Sequence, residues 1–346
     1  MKRTLIVCPG RGSYGRDTMG TLSGLTGRAA QLLNLCDSHR RNQNRPSISE
    51  LDSAPAFKGS LHVAGENASL LTFACSFADR IAMRSDFDVV GTVGNSMGWY
   101  TALALSGAFD SIEDAIRLVD TMGSYQAGNV IGAQLIYPLS GPDWADSPQR
   151  RAVIDDAIEQ VRAAGHQAWW SIDLGSFAIL AADDAGAKML ADVLPDDKRG
   201  ARTFPAKLPM HSAFHTPLLE QTSERAFDDL SDLRFQPPKV PLVDGLGRVH
   251  HPITGDPRAL RAYTLGAQVV DTYDFAFSVK TALAQTAPEV VVLLGPGNTL
   301  GGPLASILIS AGWRGMESRA DFEALQASDN PVLLSFGMPE QRALLT

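Results

Sequence analysis

Three short apolar runs, each breaking into a glycine-rich loop, constrain the fold most: TLIVCPGRG from residue 4, DVVGTVGNSMG from residue 88 and VVVLLGPGNTLGG from residue 290. Apolar runs this short, bounded by glycine, read as buried strands. Helical patterns lie between them. Residues 67–84, NASLLTFACSFADRIAMR, carry apolar side chains at helical spacing, and SIEDAIRLVDTMGSYQ opens like a capped helix with Ser111 at its start and acidic residues in its first turn. Alternation of strand and helix predicts an α/β layer structure with a parallel-type central sheet.

The rhythm changes in the middle of the chain. Residues 131–138 (IGAQLIYP) read as a strand and 149–165 as an amphipathic helix. QAWWSIDL and SFAILAAD then read as two strands joined at Gly175, AGAKMLADVLP as a second helix and TFPAKL as a closing strand. This β-α-β-β-α-β order is that of a ferredoxin-like unit. The expected organisation is a large α/β hydrolase-like domain from residues 1–127 and 208–346, with a small ferredoxin-like subdomain, 128–207, inserted in it. At 346 residues the chain can bury a core for both.

Composition narrows the function classes. A formal net charge of −8 argues against a general nucleic-acid binder, which needs a basic face to neutralise phosphates. Cys8, Cys36 and Cys75 are widely spaced with no C-x-x-C pair, so reduced buried thiols are expected and neither a zinc site nor any other metal site. The apolar run after MKR is too short for a signal peptide, and no stretch reaches the roughly 20 apolar residues needed to span a bilayer. The expected location is the cytoplasm, without a membrane partner.

The second glycine loop carries chemistry. In GNSMG, glycines on both sides remove side chains where strand and helix pack closely, leaving Ser96 exposed at a helix N-terminus. There the helix dipole and the Met97 backbone N–H are placed to stabilise an oxyanion. A serine nucleophile needs a base, and the chain offers His39, His62, His166, His211, His215, His250 and His251. His39 falls in a polar loop, His166 in the small subdomain and His250–His251 in a surface turn, while LPMHSAFHTPLLE holds His211 and His215. Taken alone, either of these two is more often structural than catalytic.

GNSMGWY, then EDAIRLVDTMG, SAFHTP and GPGNTL, in this order and spacing, resemble the malonyl-CoA:acyl-carrier-protein transacylases and the acyltransferase domains of polyketide synthases. The likeness runs from CPGRGSYG to GPG, covers nearly the whole chain and includes a ferredoxin-like insert between serine and histidine. It implies an acyltransferase that moves a malonyl group from malonyl-CoA to the phosphopantetheine thiol of an acyl carrier protein, with no cofactor and a monomeric enzyme. Ser96 would be the acyl-accepting nucleophile, His215 its base, the Met97 and Arg11 backbone N–H groups the oxyanion hole, and Arg117 the anchor for the malonyl carboxylate. Without the resemblance Arg117 reads as a solvated helix arginine beside Glu113. SAFH looks like the HAFH tetrad of malonyl-selective acyltransferases, with Ser212 in place of the first histidine and Phe214 crowding the room for a 2-methyl group.

The departures from the family pattern are equally specific. Asn95 and Trp99 replace the histidine and glutamate of G-H-S-x-G-E and are expected at the pocket mouth, Arg11 replaces the glutamine of G-Q-G, and Leu294 precedes GPG. A backbone carbonyl in VDGLG (243–247) is expected to orient His215. Acidic carrier proteins call for a basic docking patch, for which Lys198, Arg199, Arg202 and Lys207 are candidates. Two other functions fit the same residues: an acyl hydrolase that clears carrier proteins, and a catalytically altered module that only binds them. A true α/β-hydrolase would carry its histidine near the C-terminus, whereas His215 lies 119 residues after Ser96 with over 130 to follow.

Overall fold

The computed structural model describes residues 1–141, 143–145 and 147–346. Its strands, in chain order, are β1 (Lys2–Cys8), β2 (Phe87–Gly94), β3 (Ala133–Pro138), β4 (Ala168–Asp173), β5 (Phe177–Ala182), β6 (Asp197–Arg199), β7 (Arg202–Phe204), β8 (Ala206–Lys207), β9 (Leu242–Val243), β10 (Val249–His250), β11 (Tyr273–Asp274), β12 (Val290–Leu293) and β13 (Leu333–Ser335). Six of them form the large sheet in the order β10-β9-β2-β1-β12-β13, parallel throughout except at the β9–β10 edge. The three glycine-bounded runs are thus its central strands. Leu5, Ile6, Val7, Val291 and Val292 are wholly buried, as strands covered on both faces require. Helices Gly98–Leu105 and Phe275–Thr286 pack on β1 and β2.

The small sheet runs β11-β4-β5-β3-β8, antiparallel except where β11 joins β4. With helices Pro148–Ala163 and Asp184–Val193, strands β3, β4, β5 and β8 complete a β-α-β-β-α-β unit. Period-two alternation sorts its side chains. Leu135 and Leu180 point to the two helices and share their core with Ile154, Ile158 and Leu190, while Ile136 and Ile179 face the other way, into a cavity between the sheets.

Two details differ from the sequence expectation. The closing strand TFPAKL is broken at Pro205, which has no N–H to donate; β7 pairs with β6 in a separate ribbon and only β8 joins β3. The small sheet also recruits β11 from far beyond the expected insert, tying its edge to the second half of the large domain. All three cysteines are buried and unbridged.

Candidate active site

The turn from β2 into the helix Gly98–Leu105 is built around contacts too close for side chains. A Cβ on Gly94 would lie 2.1 Å from the carbonyl oxygen of Gly98, and one on Gly98 would lie 2.2 Å from that of Cys8 at the end of β1. Asn95 N–H donates to the Cys8 carbonyl at 3.0 Å, locking the turn to the neighbouring strand. Between these anchors Ser96 adopts φ 53°, a left-handed conformation rarely held by a residue with a Cβ. Its hydroxyl faces the cavity.

His215, buried behind the cavity-lining Phe214, is also at positive φ, 61°. Its N–H donates to the Val269 carbonyl at 2.8 Å, Nδ1 lies 2.7 Å from the Gln268 carbonyl, and Nε2 lies 2.8 Å from Ser96 Oγ. Because a carbonyl oxygen can only accept, Nδ1 carries the hydrogen and Nε2 presents its lone pair to the serine. Burial holds the imidazole down to about 4, with the Gln268 carbonyl opposing, so the ring is a neutral acceptor at physiological pH.

Gln268 ties the dyad together. Its side chain donates from Nε2 to the Ser96 carbonyl at 3.2 Å and accepts from Tyr100 Oη at 2.7 Å, while its own carbonyl orients His215. It follows the π-helical turn Tyr263–Ala267, which sets where that carbonyl points. The partner of His215 is therefore not in the segment 243–247. There the buried Asp244 carboxylate is spent on Leu246 and Arg248 N–H and on His250 Nε2. No sequence signal marks Gln268, because a backbone carbonyl carries no residue identity.

The cavity holding Ser96 measures about 360 Å³. Met97, Asn95, Arg11 and Phe214 line it, as do Met122 and Gln126. Arg11 stands in the loop after β1; its Nη1 is shielded from solvent and has no hydrogen-bond partner among the described residues. Burial lowers the guanidinium to about 10, with Glu66 opposing. His211, also at the cavity, is lowered to about 3 by burial and then by Arg11. Asn95 Oδ1 is likewise buried and unpartnered among the described residues. Ser212 sits behind the wall: its Oγ accepts from Ile131 N–H at 3.1 Å and its N–H donates to Gln126 Oε1 at 3.0 Å.

Other expected positions lie elsewhere. Arg117 is on the outer surface, where its guanidinium clamps Asp232 at 2.7 and 2.5 Å and donates to the Asp229 carbonyl; it pairs with neither Glu113 nor anything in the cavity. The residues of that helix lining the cavity are Met122 and Gly123; Met122 lies five positions later and so is turned by about 140°. Trp99 is not at a pocket mouth but wholly buried, edge-on to Tyr263 with centroids 4.9 Å apart and donating from Nε1 to Thr264 Oγ1. Leu294 is core. Arg199 is held by Asp197 and the Ser140 carbonyl rather than free for docking, whereas Lys198, Arg202 and Lys207 are exposed. Among the described residues no group of three or more His, Cys, Asp or Glu side chains is placed to hold a metal ion, and no helix is long and apolar enough to cross a membrane.

No protein-family model and no curated protein matches the sequence. Solved structures do match the fold. The chain is similar to a malonyl-transacylase in complex with its type II polyketide synthase acyl-carrier protein (TM-score 0.74, 17% identity, covering 99% of this chain and 98% of that one). It is similar to the malonyl-CoA–acyl carrier protein transacylase of Coxiella burnetii (0.75, 16%, 99% and 96%) and to the acyl-carrier-protein S-malonyltransferase of Burkholderia pseudomallei (0.73, 20%, 99% and 98%). The chain therefore has the α/β fold of these enzymes over its full length.

Proposed function

We propose that the protein is an acyltransferase that moves a malonyl group from malonyl-CoA to the phosphopantetheine thiol of an acyl carrier protein. The observation that carries this reading is the 2.8 Å contact between Ser96 Oγ and a His215 whose tautomer leaves Nε2 as acceptor, inside a cavity on this fold. His215 Nε2 takes the serine proton as Oγ attacks the thioester carbon. Backbone N–H groups of Met97 and Arg11 hold the tetrahedral oxyanion. As the C–S bond breaks, the leaving thiolate takes the proton from Nε2 and departs as CoA. The carrier thiol then gives its proton to Nε2 and attacks the acyl-serine; the C–Oγ bond breaks and Oγ recovers the proton.

Intact-mass measurement after brief exposure to malonyl-CoA tests this. Wild type gains one malonyl group, Ser96→Ala gains none, and added carrier protein removes the label from the enzyme while acquiring it. An unlabelled wild type, a labelled Ser96→Ala, or free malonate released equally fast with and without carrier sinks the proposal, the last in favour of hydrolysis.

A further inference from the structure

Arg11 forms a recognition element distinct from the nucleophile and its base. Its Nη1 would lie 2.5 Å from a Cβ on Gly65, and Gln126 Nε2 would lie 3.2 Å from the same point. Two N–H donors from different segments therefore meet, with the Gly123 carbonyl oxygen 2.9 Å from the same point, where helix Gly65–Ala82 passes helix Ile112–Ser124. The space exists because the crossing is made of glycine: a Cβ on Gly123 would meet Ser69 Oγ at 2.8 Å. Gln126 Oε1 is already engaged by Ser212 N–H, which fixes which end of the amide is the donor.

A guanidinium N–H excluded from water without an acceptor is costly to leave bare. Glu66 acts on Arg11 through charge alone, and His211, another titratable group at the cavity, is pushed toward its neutral form by burial first and by Arg11 second. Across the cavity Ile136, Ile172 and Ile179 present only hydrocarbon, and Arg202 stands at the exposed rim. Arg117 is on the outside, bound to Asp232. Among the described residues Arg11 Nη1 has no hydrogen-bond partner, and the cavity that Arg11 lines also holds Ser96.

We propose that the Arg11 side chain, assisted by Gln126 Nε2, binds the free carboxylate of the acyl group carried on Ser96. Arg11 then selects carboxylate-terminated acyl donors over uncharged ones of similar size. A planar guanidinium meets a carboxylate through two parallel hydrogen bonds, so the contact orients the acyl group as well as holding it. The proposal rests on the reading of Ser96 as acyl carrier, and its test is chosen to need no chemistry.

Calorimetric titration of the Ser96→Ala protein with malonyl-CoA and acetyl-CoA measures the preference directly. Malonyl-CoA is expected to bind about ten-fold tighter or more, and Arg11→Gln to bring the two within about two-fold by weakening malonyl-CoA alone. Arg11→Lys keeps the charge but not the fork and retains part of the preference, while Arg117→Ala keeps all of it. An unchanged ratio in Arg11→Gln overturns the proposal. So does equal weakening of both esters, which would mean that Arg11 holds the CoA phosphates common to them. An unchanged urea-unfolding midpoint certifies the folding of each variant; should Arg11→Gln fail to fold, Arg11→Lys carries the test, and an undiminished preference there overturns the proposal too. A wild type that shows the preference but never acquires an acyl group defeats the transfer reading alone.

Discussion

Ser96 and His215 both hold left-handed backbone conformations, each costing on the order of 1–3 kcal/mol, and both are held there by hydrogen bonds from outside their own segments. That strain aims Oγ and Nε2 at one another. It also buries His215 with no carboxylate partner among the described residues, which has a measurable consequence. Because His215 is held near 4 rather than its ordinary 6.5, the acylation rate with malonyl-CoA should stay flat from neutral pH down to about 5 and fall only below that. An inflection near 6.5 in kcat/KM would contradict this. The same shift acts on stability: between 6.5 and 4 the unfolded chain takes up a proton that the folded one refuses, so this contribution is present above 6.5 and is lost as pH falls through that window. Ser96 was legible in the sequence through G-x-S-x-G after a buried strand, whereas His215 was singled out from seven histidines only by the family resemblance of SAFH. Gln268 was not legible, because the carbonyl that meets His215 carries no residue identity and its side-chain partners, Ser96 and Tyr100, lie more than 160 positions away.

At the scale of elements, the turn between β2 and the helix Gly98–Leu105 decides which neighbours of Ser96 see substrate. Asn95 stays at the cavity, but Trp99, three residues past the serine, is carried by the first helical turn into the core against Tyr263 and Thr264. Trp99→Ala should therefore cost about 3–5 kcal/mol in urea unfolding at an unchanged slope, while the acylation rate of the folded fraction changes little. A large loss of rate with unchanged stability would instead place Trp99 in the pocket. Sequence spacing alone misplaced it because neighbours along a turn diverge in direction as soon as the helix starts. The same holds for Arg117: the sequence pattern predicts its helix, but the face that meets the cavity carries Met122 and Gly123.

The whole molecule places the cavity between two sheets, with the parallel sheet supplying Ser96 and the small sheet an apolar wall, and β11 joins the two by extending β4 from the segment that follows Gln268. The exposed Lys198 and Lys207 belong to the small subdomain's outer strands, β6 and β8, on a chain whose formal charge is −8. If this basic strip docks an acidic carrier, Lys198→Glu/Lys207→Glu should raise KM for the carrier several-fold at low salt and flatten its salt dependence. Acylation by malonyl-CoA, which needs no carrier, should keep its rate; an unchanged carrier KM would move the docking face elsewhere.

The sequence by itself determined the α/β class, the strand–glycine–helix turn at Ser96 and the order of the small sheet's elements, because periodicity and glycine placement are local physical constraints, whereas SAFH was marked only by resemblance to a known family. Only the tertiary structure decided that the Gln268 carbonyl meets His215, that Trp99 and Arg117 face away from the cavity, and that Arg11 lines it with a buried Nη1 that has no hydrogen-bond partner among the described residues. Those depend on which surfaces meet when helices cross and loops pack, and a single side chain's direction there is set by residues more than a hundred positions away.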